Sequence, residues 1–453
     1  MEEITSKSHV LVLPFPVQGH INPMVQFSKR LVSRGVKVTL ITIDSISKSI
    51  PKDSNSIKIE SIPHDESPPN SIDIFLEWFF TLISNNLREI VKKLSDSEYP
   101  VKVLVFDSVA TWAIDLAHEL GIKGAAFFTQ SCSLSAIYYH LDPEISKITL
   151  DGSAVSLPSL PLLEKEDLPS FVYQSESYPA LVRLVFSQNI NFKKADWLFF
   201  NTFDVLEEVV DWMRTQYPIK TIGPTIPSMY LDKRLKDDKE YGSSLIKPNG
   251  ETCMKWLDLK EIGSVVYVSF GSLASLGEKQ MEELALGLIM SNSYFLWAVR
   301  DTEENKLPNE FKSKASEKGL IVNWSPQLDV LAHKSVGCFF THCGWNSTLE
   351  ALSLGVPMVC MPQWTDQPTN AKFISDVWRT GIRVKAGKDG VITREEVASS
   401  IKEVMEEEKG VMLKENAIKW KTLAKEAVDE GGSSDKNIEE FLSTCNALDL
   451  VSD

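Results

Sequence analysis

Short apolar runs recur along this chain, each followed by a helical pattern. Residues 10–15, 36–43, 101–106, 124–129 and 197–200 are short and predominantly apolar, the mark of strands buried on both faces. Between the first two, 22–34 reads as an amphipathic helix with Met24, Val25, Phe27, Leu31 and Val32 on one side, closed by Gly35. The pattern fails over 226–250, where the charged run Leu231-Asp232-Lys233-Arg234 continues to Glu240 and Gly242, Pro248 and Gly250 punctuate the rest. We read that stretch as an interdomain linker or exposed loop. Alternation then resumes: strands at 265–269, 294–299, 320–323, 337–341 and 358–361, with helices at 278–290, 346–354, 393–408 and 412–429. A last helical segment, 434–447, follows a Gly-Gly break. Strand–helix alternation of this kind predicts an α/β fold with parallel sheets covered on both faces. Its interruption predicts two doubly wound halves facing each other, residues 1–240 and 251–433, with helix 434–447 packing back on the first.

The formal net charge of −15 argues against nucleic acid or an anionic membrane as partner, since both require basic patches. It leaves room for one anionic ligand held by local dipoles. Six scattered cysteines with no C-x-x-C pair speak against a disulfide framework or zinc site, and fit a reducing, cytoplasmic setting. The proline-broken run after His9 reads as a first strand and not as a signal peptide. No apolar run of about 18 residues is present, so no stable membrane insertion is expected.

Ligands of open parallel sheets bind beyond the carboxyl ends of the strands, and the second half concentrates polar residues there. Phe270-Gly271-Ser272 follows the strand 265–269. A glycine lets backbone approach a phosphate and a serine hydroxyl can bond it, although a plain strand-to-helix turn has the same composition. The turn matches neither the phosphate-loop template nor G-x-G-x-x-G. Thr341 is followed by His342-Cys343-Gly344-Trp345-Asn346-Ser347 and then a helix. Its first N–H groups form an anion site, to which His342, Asn346 and Ser347 add donors. Glu350 lies one turn after Asn346 and can accept from ribose hydroxyls. Taken alone, Asn346 and Ser347 are equally a helix cap. Trp324 follows a strand and can stack on a base, or be core. Gln327 lies close behind it. Asp366-Gln367 suits sugar hydroxyls, or caps a helix. These alternatives would have to coincide at the ends of successive strands.

This block, 324–367, resembles the signature of plant family 1 UDP-glycosyltransferases: W-x-P-Q, H-x-x-V-G, T-H-C-G-W-N-S, E, G-V-P-M and D-Q all fall in place. The resemblance implies a GT-B fold, two Rossmann-like domains with an interdomain cleft. It implies that Trp324 stacks on uracil and that Gln327 and Glu350 serve the nucleoside. It puts Ser272, His342, Asn346 and Ser347 on the diphosphate, beside Gly344, and Trp345, Asp366 and Gln367 on the sugar. Gln367 and Trp345 go with UDP-glucose as donor, and no metal is implied.

His20 lies in the loop after the first strand and Asp107 at the end of strand 101–106. An imidazole titrates near neutrality, and a carboxylate on its other nitrogen orients it and stabilises the imidazolium. The resemblance makes His20 the base and Asp107 its partner, with Thr129 and Gln130 near the reacting centre. Without a G-x-S-x-G elbow, hydrolase chemistry is not indicated. The expectation is single displacement with inversion, giving a β-glucoside.

The aromatic cluster Phe75, Leu76, Trp78, Phe79 and Phe80, with Tyr138, Tyr139, Phe171, Tyr173 and Tyr178, is mostly core, with some members lining an apolar acceptor pocket. The resemblance is to the plant subgroup acting on triterpenoids, small carboxylic acids and other secondary metabolites. It points to a small hydrophobic acceptor, such as the cucurbitane-type triterpenol mogrol, and to a monomer. Alternatives are a transferase forming glucose esters, a non-catalytic UDP-sugar sensor, and a sugar-nucleotide epimerase.

Overall fold

The computed structural model describes residues 8–450 apart from 49, 51–56, 65–68, 70, 146–147, 149, 151, 174 and 242–248. Gly242 and Pro248 of the expected linker therefore lie outside the described residues. The chain forms two units. Unit 1 comprises 1–162, 171–245 and 426–453; unit 2 comprises 163–170 and 246–425. The short piece 163–170 belongs to unit 2 although the chain on either side of it does not.

Unit 1 holds a seven-stranded sheet. Its strands are β1 (His9–Leu13), β2 (Lys37–Ile43), β3 (Ile57–Ile62), β4 (Val101–Asp107), β5 (Lys123–Phe128), β6 (Trp197–Phe200) and β7 (Ile219–Thr221). They lie in the order β3-β2-β1-β4-β5-β6-β7, and every pairing is parallel. Successive residues of β1 enter opposite cores: Val10 and Val12 on one face, Leu11 and Leu13 on the other. That two-sided burial is why residues 10–13 of β1 carry no polar alternation. The last helix, Ser433–Leu450, is part of unit 1. It sets Phe441 against Phe27, Trp197 and Phe199, with Ile438, Leu442 and Cys445 beside it.

Unit 2 repeats the plan with β8 (Val265–Ser269), β9 (Tyr294–Ala298), β10 (Gly319–Val322), β11 (Val336–Thr341), β12 (Met358–Cys360) and β13 (Gly381–Arg383). Their order is β10-β9-β8-β11-β12-β13, again all parallel. In each sheet the strand order reverses direction once, between β1 and β4 in unit 1 and between β8 and β11 in unit 2. The loops after those strands diverge to opposite faces and leave a crevice beyond the strand ends. His20 and Asp107 follow β1 and close β4 at one such point, and Gly271 and His342 follow β8 and β11 at the other.

Two expectations change. His20 is not in a loop: the helix begins at Gln18 and runs to Val32 through Pro23, so His20 sits in its first turn. The charged run after Leu231 is not a loose linker where it is described. The Asp232 carboxylate is buried on Arg30 at 2.8 Å, and Asp238 pairs with Lys29 at 2.7 Å. Arg234 reaches Asp435 of the last helix at 2.7 Å.

Candidate active site

In unit 1, His20 and Asp107 meet across the β1/β4 switch point. His20 Nδ1 lies 2.6 Å from Asp107 Oδ2. The carboxylate is 1% exposed and the imidazole 27% exposed, so the acid is inside and the base reaches outward. Asp107 is fixed by backbone N–H groups as well: Val109 donates to Oδ1 at 3.2 Å and Phe15 to Oδ2 at 3.4 Å. Thr129, beyond the end of β5, places its hydroxyl 3.2 Å from the same His20 nitrogen. It stands at the base and not in unit 2 with the other residues expected to hold the donor. Gln130 turns away, donating to Ser135 and Gln188.

Phe15 packs edge-on against His20 at 5.5 Å and gathers Phe75, Phe79 and Phe80 around it. An apolar aromatic group therefore adjoins the base. Tyr138 is core at 2% exposure, and Tyr139 is tied to the Tyr217 hydroxyl, so neither belongs to that group.

In unit 2, the residues after β8 and β11 converge on His342. A Cβ placed on Gly271 would come 2.8 Å from His342 Nε2, and one on Gly344 would come 2.6 Å from it. Only glycines let the ring sit between these two backbones. Gly271 additionally has φ +68, a value favouring glycine. Burial pushes the His342 imidazole down to about 4, against a hydrogen bond with the Ser269 backbone that raises it. It is neutral at pH 7. Ser272 is exposed, and its carbonyl accepts from Arg300 Nη1 at 2.6 Å. Arg300 also holds the Ala274 carbonyl, so it staples the turn after β8. Its position just past β9 was the available signal.

The helix Trp345–Leu354 starts with Gly344 as its N-cap and no side-chain cap. Asn346 and Ser347 therefore do not serve as its cap. Ser347 Oγ instead accepts from Gln327 Nε2 at 2.9 Å, and Glu350 Oε2 accepts from the same nitrogen at 2.6 Å. The Gln327 oxygen accepts from the Tyr267 hydroxyl at 3.1 Å, which also meets Ser325 at 2.8 Å. Tyr267, on β8, reads in the sequence as one more core residue; its hydroxyl orients the Gln327 amide. Trp324 is half-buried in the loop after β10, its carbonyl accepting from Asn249 N at 3.0 Å.

Asp366 occupies the N-cap position of the helix Gln367–Lys372, but its side chain does not cap it. Its carboxylate accepts from Thr365 Oγ1 at 2.6 Å, from Asn370 Nδ2 at 2.7 Å and from the Trp345 backbone N–H. Burial raises its pKa, and these bonds oppose the rise. Gln367 Oε1 accepts from the N–H groups of Gln363 and Trp364 at 2.9 and 3.2 Å. That fixes the amide by its oxygen and leaves the NH₂ as its donor end. Trp345 is 4% exposed with its ring against Trp378, so it reaches Asp366 by its backbone.

The His342 shift has a consequence for stability. The folded protein refuses a proton that the unfolded chain accepts between about pH 6.5 and 4. Stability should therefore fall as pH drops through that window, by up to about 3 kcal/mol for this one group. Partial solvent contact of the residue makes that an upper figure. Tm measured from pH 7 to 4 should fall more steeply for wild type than for His342→Asn; equal slopes would exclude His342 as the cause.

Taken together, unit 2 offers an indole, an amide–carboxylate pair, a helix N-terminus beside a neutral imidazole, and a buried acid and amide. Those are the parts needed for a base, a ribose, a diphosphate and a sugar. Unit 1 offers a carboxylate-backed imidazole beside an apolar aromatic group. Such a set defines a nucleotide-sugar-dependent transferase.

Comparison with known proteins makes the assignment. Residues 227–428 match the family described as "UDP-glucoronosyl and UDP-glucosyl transferase". The chain is 52% identical to UDP-glycosyltransferase 74E2 of Arabidopsis thaliana over 446 residues, covering 96% of this chain and 98% of that one. It is 51% identical to a mogroside I-E synthase of Siraitia grosvenorii, again over 96% and 98%. The crystal structure of Os79 from O. sativa in complex with UDP superposes with a TM-score of 0.90 at 37% identity, covering 96% of this chain and 100% of Os79. The chain belongs to the plant family 1 UDP-glycosyltransferases and has their GT-B fold. It is a glycosyltransferase that uses a UDP-sugar donor and a small-molecule acceptor. Among the described residues no helix is long and apolar enough to cross a membrane.

Proposed function

We propose that the protein is an inverting, UDP-glucose-dependent O-glucosyltransferase. Its acceptor is a hydrophobic plant secondary metabolite of triterpenoid type, and its product a β-glucoside. The observation that carries this reading is the 2.6 Å contact of His20 Nδ1 with the buried Asp107 carboxylate. With Nδ1 turned to the acid, Nε2 is the nitrogen that takes the acceptor proton. The acceptor oxygen forms its bond to C1 of the sugar as the bond from C1 to the diphosphate oxygen breaks. The proton goes to His20, and Asp107 stabilises the imidazolium. UDP leaves with its charge held by the helix N-terminus at Trp345, by His342 and by Ser347. Trp324, Gln327 and Glu350 hold the nucleoside; Asp366 and Gln367 hold the glucose.

The aromatic group at Phe15, Phe75, Phe79 and Phe80 supports a large apolar acceptor, as does the similarity to a mogroside synthase. In this reading the protein is a cytoplasmic monomer that needs no metal, because helix N–H groups neutralise the diphosphate.

The test is incubation with UDP-glucose and a panel of triterpenols, phenols and carboxylic acids. Expected is hexose addition by mass to triterpenols, with an anomeric proton coupling diagnostic of the β-glucoside. UDP-glucose binding with no transfer to any panel member would sink the proposal in favour of a sensor, and free glucose with UDP and no glucoside would indicate other chemistry.

A further inference from the structure

The loop that carries Asp366 and Gln367 is held by a part of the chain far from it in sequence. Thr365 has φ +58, a left-handed conformation uncommon for a non-glycine residue. Both its backbone polar groups are met by Ser170: Ser170 N donates to the Thr365 carbonyl at 2.9 Å, and Thr365 N donates to Ser170 Oγ at 2.8 Å. Ser170 is 1% exposed. Three residues earlier, the Asp167 carbonyl accepts from Thr369 Oγ1 at 2.7 Å. The Asp167 carboxylate, in a residue 6% exposed, pairs with Arg383 Nη1 at 2.9 Å and Lys372 Nζ at 3.3 Å. Arg383 Nη2 also reaches the Glu166 carbonyl at 2.8 Å. These contacts explain why 163–170 belongs to unit 2.

The chain of constraint is short. Ser170 fixes the Thr365 backbone. Thr365 Oγ1 donates to Asp366, whose carboxylate also takes the first N–H of the helix at Trp345. Asp167 fixes Thr369, one turn on, beside Asn370, which bridges Asp366 and the Cys343 carbonyl. We propose that Ser170 and Asp167 are positioning residues for the sugar end of the donor site, setting where Asp366 and Gln367 stand and so the discrimination among UDP-hexoses. The inference rests on the donor-site reading above and goes beyond it, since neither residue lies in the 324–367 block.

The test is calorimetric binding of UDP, UDP-glucose and UDP-galactose to the full chain. For Ser170→Ala we expect UDP affinity within about twofold of wild type, because the nucleoside and diphosphate partners are untouched. UDP-glucose affinity should fall by about 5–10-fold, as for loss of a buried hydrogen bond. The preference for UDP-glucose over UDP-galactose should shrink by a similar factor. Asp167→Asn, which keeps the carbonyl bond to Thr369 but weakens the carboxylate pairs that hold this segment to Lys372 and Arg383, should shift the same ratio in the same direction by less, and it carries the test if Ser170→Ala does not fold. Adding Thr365→Asn to Ser170→Ala should restore much of the preference, since asparagine tolerates positive φ and its amide can still reach Asp366. An unchanged sugar preference, or a parallel loss of UDP affinity, would overturn the proposal. A wild-type protein that binds no UDP-glucose would instead overturn the donor-site reading itself.

Discussion

Replacing His20 with alanine is expected to lower kcat for an alcohol acceptor by about 10²–10⁴-fold, the usual contribution of a positioned general base. The KM for UDP-glucose should stay within about twofold, because the residues proposed to hold the donor's nucleoside, diphosphate and sugar lie in unit 2. An alcohol is a poor nucleophile unless its proton is taken as the bond to C1 forms, and His20 is backed by a carboxylate that is 1% exposed. Asp107→Asn tests the second member. Asparagine keeps the shape but cannot stabilise the imidazolium, so kcat should fall toward the His20→Ala value. It also turns an NH₂ toward an N–H of Phe15 or Val109, which now donate to the carboxylate. Tm must therefore be measured alongside, and a loss of activity that merely tracks unfolding would not count. Initial rates at saturating UDP-glucose check both variants. A fall of less than tenfold with alcohols would remove His20 from the role of base. Carboxylic acids provide a built-in contrast: they arrive ionised and need no proton removed. If His20→Ala spared acids while abolishing alcohols, ester formation would become the better reading.

Much of this was legible because the relevant strands are buried on both faces. Residues 197–200 are uniformly apolar and 265–269 are apolar up to the closing Ser269, and they coincide with β6 and β8. The missed strands are those whose pattern is weak. β3 sits at the sheet edge with Lys58, Glu60 and Ser61 among its six residues, and β7 and β13 have three residues each. Edge position relaxes the demand for apolar side chains on both faces. The donor block was legible because its residues are adjacent in sequence. What escaped are contacts made over long separations. Asp232 reads as one charge in a charged run, yet its carboxylate is buried on Arg30 of the first helix. Tyr267 reads as core because its ring is core, and only its hydroxyl reports on Gln327. Ser170 and Asp167 carry no motif, and their role exists only through Thr365, Thr369, Lys372 and Arg383.

The largest expected loss of donor affinity comes from Glu350→Ala. Glu350 is 4% exposed, yet its carboxylate oxygen is held at 2.6 Å by the Gln327 amide. That amide is itself oriented from behind by the Tyr267 hydroxyl. In the proposed donor site a carboxylate so fixed would meet the ribose hydroxyls without reorganising, and a hydrogen bond to a charged group contributes about 1.5–3 kcal/mol. Losing such bonds to the two hydroxyls, while leaving the Gln327 NH₂ short of one acceptor, should weaken UDP binding about 10²-fold or more. Glu350→Gln can still accept from one hydroxyl and should lose less. UDP present at 100 times its Kd raises folding stability by about 2.7 kcal/mol, so the upward Tm shift of wild type should nearly vanish for Glu350→Ala at the same UDP concentration. Tyr267→Phe separates direct from indirect effects, because it frees the Gln327 amide to turn while sparing the carboxylate, and should weaken UDP binding by less. A Glu350→Ala protein that keeps the full UDP-induced shift would mean that the ribose does not lie against this carboxylate.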